Sequence, residues 1–186
     1  MNPIFQAAAE IEAACASEGW RFCFIGGLAV QRWGEPRLTQ DVDVTLLTGF
    51  GGEAAYVDAL LARLKGRIDD AREFALANRV LLLCATNGIP LDISLGAMDF
   101  EARTVERATP FDVGAGVRLT TCSAEDLVVH KAFAARDKDW LDIEGIVRRQ
   151  GTKLDQTLVW QELDPLLDLR DDKATAPRLR RILSAA

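Results

Sequence analysis

The stretch from Phe24 to Val44 constrains the fold of this chain more than any other. It reads Phe-Ile-Gly-Gly-Leu-Ala-Val and, after a short helix-like passage, Glu35-Pro-Arg-Leu-Thr-Gln-Asp-Val-Asp-Val. The aromatic run Arg21 to Ile25 predicts a short buried strand. Gly26-Gly27 breaks it, and a short helix is expected to start at Leu28. Val42 to Leu47 alternates and is β-branched, which predicts a second strand. Asp41 and Asp43, two residues apart, then share one face, while Val42 and Val44 turn toward the core. Two like charges this close are costly unless a cation sits between them. Hard oxygen donors suit Mg²⁺ or Mn²⁺, which keep water and bridge substrate phosphates.

The two glycines fit the same picture. Without side chains, Gly26 and Gly27 let a phosphate approach the backbone. The helix that follows would aim its free N–H groups and positive dipole end at that anion. A third carboxylate, Asp92, lies inside the apolar run Leu91-Asp-Ile-Ser-Leu. A charge embedded there needs a partner. If its strand lies beside that of Asp43, three carboxylates converge. Two could hold metal, and the third could bind a second metal or orient an attacking hydroxyl.

The rest of the chain reads as a mixed α/β core over residues 1–121 and a helical segment over 122–186. Residues 3–18 predict an amphipathic helix with Ile4, Ala8, Ile11 and Cys15 on one stripe. Glu53 to Leu64 has helical spacing. Val80–Ala85 and Pro90–Leu95 read as strands joined by an Asn87-Gly88 hairpin turn. Arg107–Val113 and Val117–Thr120 read as a further β pair. Ser123, with Asp126 three residues on, opens the first of four helices expected over 123–135, 138–149, 155–168 and 175–184. The stretch from Lys65 to Arg79 and that from Gly96 to Glu106 carry no element in this reading.

Composition narrows the class. Of 186 residues, 49% are hydrophobic and 27% charged, which excludes wholesale disorder. The net charge of −6 argues against a general nucleic-acid coat, because phosphate affinity comes mostly from Lys and Arg. The 4 cysteines form no Cys-x-x-Cys pair and read as buried free thiols. The first residues carry no basic cluster and no apolar run is long enough to span a bilayer, so the expectation is a cytoplasmic protein without membrane association. With 1 histidine, His130, there is no Ser-His-Asp or zinc constellation.

Gly26-Gly27, thirteen residues, then Asp41-Val-Asp43-Val resembles the hallmark of the nucleotidyltransferase superfamily. Leu91-Asp92-Ile93 is similar to its third-carboxylate strand. The wording Gly-Gly-Leu-Ala and Pro-Arg-Leu-Thr-Gln-Asp-Val-Asp most resembles the AbiEii-type toxins of bacterial abortive infection. Glu125-Asp-Leu-Val-Val-His-Lys131 and Asp137-Lys-Asp139-Trp-Leu-Asp142 resemble that subgroup's helical motif. The resemblance implies a nucleotidyltransferase-like mixed sheet flanked by helices. It implies that Gly26 and Gly27 hold nucleotide phosphates, that Asp41 and Asp43 bind Mg²⁺ (or Mn²⁺), and that Asp92 is base or second metal ligand. Arg37 and Thr39 would touch phosphate, Lys131 would neutralise its charge, and Asp139 or Asp142 would be the supporting acid. Many members carry Ser where this chain has Gly27, so here the backbone must serve the phosphate.

The activity implied is transfer of a nucleoside monophosphate from a nucleoside triphosphate to an acceptor. The acceptor would be an RNA 3′ end such as that of tRNA, or a protein, and an antitoxin protein would be the partner. A non-catalytic protein on the same fold, an antibiotic-type transferase acting on a small molecule and a sugar-nucleotide glycosyltransferase stand as alternatives.

Overall fold

The computed structural model describes residues 2–184. Its strands are β1 (Phe22–Phe24), β2 (Val42–Leu47), β3 (Lys65–Gly66), β4 (Val80–Cys84), β5 (Pro90–Gly96), β6 (Thr109–Gly114) and β7 (Val117–Thr121). They form one mixed sheet in the order β3-β4-β5-β2-β1-β7-β6. β2 pairs with β5, and β1 with β7, in parallel. The other neighbours are antiparallel. The helices are α1 (Pro3–Ser17), α2 (Gly26–Trp33), α3 (Glu53–Leu61), α4 (Ala71–Asn78), α5 (Asp99–Arg107), α6 (Ala124–Ala134), α7 (Asp137–Gln150), α8 (Gln156–Arg170) and α9 (Thr175–Ser184). The mixed α/β class expected from the sequence is therefore the class observed.

The chain divides into two compact units. One comprises residues 1–28 and 38–122 and holds the sheet; the other comprises 29–37 and 123–186. The boundary falls within α2 and just after Arg37.

In the first unit the alternation of β2 separates two faces. Val42, Val44 and Leu46 are fully buried with Leu91, Ile93 and Leu95 of β5 and Leu81 and Leu83 of β4. Ile4, Ala8, Ile11 and Cys15 of α1 and Val57 and Leu60 of α3 complete this core. Each such side chain contributes about 1.5–3 kcal/mol by leaving water. The opposite face of β2 carries Asp43 and Thr45, and that of β5 carries Asp92. The core thereby fixes which way the carboxylates point.

In the second unit Leu127, Val128, Ala132, Trp140, Ile143, Ile146, Val159, Leu163 and Leu179 are buried among the helices. Ser123 caps α6, its hydroxyl accepting from the Asp126 N–H at 3.0 Å. Arg178 stacks over Trp140 and Arg180 over Trp160, so two of the three exposed arginines of α9 lie on aromatic rings.

Four elements differ from the sequence reading. Helix α2 begins at Gly26, two residues earlier than expected, so both glycines belong to its first turn. Helix α5 was not expected, because DFEARTVER offers only a sparse apolar stripe. The Glu101 carboxylate starts it by accepting from the Ala97 and Met98 N–H groups at 2.8 and 2.9 Å. Short α4 and two-residue β3 were likewise not expected, the latter too brief for any periodicity to register. The cysteines are free thiols as read, three of them buried. No helix among the described residues is long and apolar enough to cross a membrane.

Candidate active site

The register of β2 against β5 builds the centre of the site. Asp43 stands opposite Asp92. Asp41 precedes β2 by one residue, and one carboxylate oxygen each from Asp41, Asp43 and Asp92 lie within 4.8 Å of one another. All three residues are half-buried, accessible to a ligand yet partly shielded from water. Asp41 is fixed by the Thr39 hydroxyl, which donates to its Oδ1 at 3.1 Å.

Why glycine stands at both positions of the preceding turn is visible in the space around it. Gly26 has φ +59°, and a Cβ there would lie 1.9 Å from Asp43 Oδ2. A Cβ on Gly27 would lie 2.3 Å from Thr39 Oγ1 and 2.8 Å from its Cβ. The turn leaves Ile25 N–H donating to the Asp43 carbonyl at 3.0 Å, which ties the end of β1 to the acidic strand. The absent side chains thus make room for Asp43 and Thr39, and the α2 N-terminus opens beside them.

One group near the carboxylates had no signal in the sequence. Arg67, just after β3, donates from Nη2 to Asp92 Oδ1 at 2.6 Å. Only the sheet order brings these two residues together.

The remaining residues singled out from the sequence belong to the helical unit. Lys131 is 4% exposed. Its Nζ meets Asp139 Oδ1 at 3.1 Å and Asp142 Oδ2 at 2.6 Å. Asp142 also accepts two bonds from Arg37, Nε to Oδ1 at 2.6 Å and Nη2 to Oδ2 at 2.8 Å. Asp139 accepts from Arg136 Nε at 2.6 Å. Arg37, Lys131, Asp139 and Asp142 are therefore one ion network. Burial alone would push both carboxyls up, but the bonds from Arg136 and Lys131 hold Asp139 below the usual carboxylate range, and those from Arg37 and Lys131 do the same for Asp142. His130 is half-buried on α6. The Cys15 thiol is pushed up to about 12 by burial and by Glu12, which leaves it inert as a nucleophile at neutral pH.

Three hard carboxylate oxygens converging on one point match the donor preference of Mg²⁺ or Mn²⁺ rather than that of zinc, which favours nitrogen and sulfur. The donor set therefore fits such an ion, which Asp41 and Asp43 would hold with Asp92 beside them.

Comparison with known proteins gives a consistent picture. The family described as "Nucleotidyl transferase AbiEii toxin, Type IV TA system" matches residues 11–185. A search of curated proteins returns no match. Among solved structures, ANT(2″)-Ia in complex with adenylyl-2″-tobramycin is similar at 18% identity and a TM-score of 0.59, over 87% of this chain and 97% of that one. An antigenic nucleotidyltransferase-like protein from Paracoccidioides brasiliensis is similar at 15% identity and a TM-score of 0.53, over 97% of this chain and 93% of that one. At these identities the two structures speak for the fold.

Proposed function

The chain belongs to the AbiEii nucleotidyltransferase toxin family, and from that premise we propose that it is a Mg²⁺- or Mn²⁺-dependent enzyme that moves a nucleoside monophosphate from a nucleoside triphosphate to a macromolecular acceptor. The acceptor is the 3′ end of an RNA such as tRNA, or a protein. The chain acts as the toxin of a toxin–antitoxin pair, held in check by an antitoxin protein in the cytoplasm. The observation that carries the reading is the in-register meeting of Asp43 with Asp92, with Asp41 beside them.

In this reading Gly26 and Gly27 let the triphosphate approach the backbone at the start of α2. Thr39, which bonds Asp41 and lines Gly27, offers the hydroxyl nearest that backbone. Asp41 and Asp43 hold the divalent cation. When bound, the cation supplies neutralisation of the triphosphate and polarisation of the α-phosphate. Asp92 takes the proton of the acceptor hydroxyl as its oxygen attacks the α-phosphorus. A new P–O bond forms, the bond to the β-phosphate oxygen breaks, and pyrophosphate leaves with the electron pair. Catalysis is then mostly positioning and electrostatics. The resemblance gives Arg37, Lys131 and Asp139 to nucleotide binding. Their network supports a narrower part for Lys131: it anchors Asp142, which grips Arg37.

The test is label transfer. Wild type and Asp41→Ala are incubated with Mg²⁺, each α-³²P-labelled nucleoside triphosphate in turn, total RNA, cell protein and small-molecule extract. Label on RNA or protein that disappears in the variant supports the proposal and names the acceptor. Label on a small molecule replaces the macromolecular acceptor with an antibiotic-type one. Nucleotide binding without any transfer points instead to a non-catalytic protein on the same fold.

A further inference from the structure

We infer that Arg67 is the resident counter-ion of the carboxylate cluster: it positions Asp92 from the side away from Asp43 and competes with a divalent cation for the cluster's charge. The inference rests on the reading of that cluster as a metal-dependent centre.

The geometry comes from the sheet. Arg67 follows β3 directly, and its backbone N–H donates to the Leu82 carbonyl at 2.9 Å, extending the pairing of Gly66 with Leu83 by one residue. Leu82 is the register partner of Asp92, and Asp92 is that of Asp43. Arg67, Leu82, Asp92 and Asp43 are thus one row across four neighbouring strands. With strands about 4.8 Å apart, Arg67 starts roughly 10 Å from the Asp92 backbone, a gap that only a long side chain spans. It spans it: Nη2 reaches Asp92 Oδ1 at 2.6 Å. Gly26 and Gly27 lie at the end of β1, beyond β2. Arg67 therefore flanks the cluster on the side opposite the glycine turn.

A contribution to stability does not explain this arrangement. The two side chains are 31% and 32% exposed, and exposed pairs contribute little to folding. The charge of the cluster does explain it. Within this group the Arg67 guanidinium offsets one of the three carboxylate charges and leaves an acidic site that a divalent cation suits. The single bond to Oδ1 restrains the Asp92 carboxylate.

The experiment measures Mn²⁺ binding alone, by the loss of the free-ion electron paramagnetic resonance signal, on the full chain of wild type, Arg67→Met and Arg67→Lys. Thermal melting confirms that each is folded, and Arg67→Gln replaces Arg67→Met should the latter not fold. Losing the unit positive charge that pairs with Asp92 tightens Mn²⁺ binding on the order of tenfold in Arg67→Met. Arg67→Lys keeps the charge and stays near wild type. In label transfer, Arg67→Met lowers kcat by roughly tenfold with the nucleotide KM within about twofold, and Arg67→Lys recovers part of the loss. Unchanged or weaker Mn²⁺ affinity in folded Arg67→Met overturns the inference, as does a wild type that binds no Mn²⁺. A wild type that binds Mn²⁺ but transfers no label overturns the functional proposal instead and leaves the Mn²⁺ comparison to decide this one.

Discussion

Asp43 and Asp92 stand side by side on two parallel strands, directly in register and on the same face of the sheet. Their neighbours Val42, Val44, Leu91 and Ile93 are fully buried on the other face. A slip of either strand by one residue would bury a carboxylate and expose a core side chain. The packing of the core therefore specifies the acidic cluster, and the repulsion inside the cluster is sustained by that packing.

Asp43→Asn follows from this opposition. It should abolish metal-dependent transfer, by a factor of at least about 10² given the loss of a ligand at the reacting centre. Without metal it should leave the protein folded, with stability changed by no more than about 1 kcal/mol, because the isosteric amide keeps the shape of the side chain and removes one charge from the cluster. Label transfer and thermal melting with and without Mg²⁺ check both halves. A variant that is inactive because it unfolds would show a markedly lower melting temperature in metal-free buffer, which is not expected.

Gly26→Ala should damage the same site by a steric route. The added methyl would occupy the space of Asp43 Oδ2, and the residue would keep a φ of +59°. The strain costs about 1–2 kcal/mol, and the displaced carboxylate should weaken Mn²⁺ binding by tenfold or more. Gly19→Ala is the control. Gly19 has φ +66° with nothing within 4 Å, so it bears the backbone cost alone and should leave Mn²⁺ binding unchanged. Equal Mn²⁺ affinities in the two variants would remove the Gly26–Asp43 fit from the account of the site.

What could be read in advance tracks how local the determining signal is. Strand β2 was legible to the residue because its β-branched alternation lies within six positions. The Asn87-Gly88 turn announced the hairpin of β4 and β5, and Ser123 announced α6. The parallel neighbourhood of Asp43 and Asp92 was legible only as a condition, since forty-eight residues of chain separate the two. Arg67 was not legible at all. Its reach to Asp92 depends on β3 lying two strands from β5, a fact of the sheet order that no local pattern carries. Lys131 and Asp142 were legible as a motif, yet their burial and shared ion network required the helices to pack.

That network should make the helical unit sensitive to acid. Asp139 and Asp142 have depressed folded-state pKa values, because the bonds from Arg136, Arg37 and Lys131 outweigh the effect of burial. A depressed carboxyl adds stability that is present above its unfolded pKa, near 3.9, and is lost as pH falls through the folded value. The melting temperature should therefore drop steeply below about pH 4 while staying flat between pH 5 and 7. Lys131→Met leaves Asp139 and Asp142 short of a buried positive charge and should cost roughly 3–5 kcal/mol at neutral pH. The loss should shrink as the pH is lowered, because protonated carboxyls no longer need the ammonium. Adding Asp139→Asn to Lys131→Met removes one of the stranded charges and should restore part of the loss at pH 7. A double variant no more stable than the single one would mean that Lys131 supports the fold through its aliphatic stem rather than through its charge.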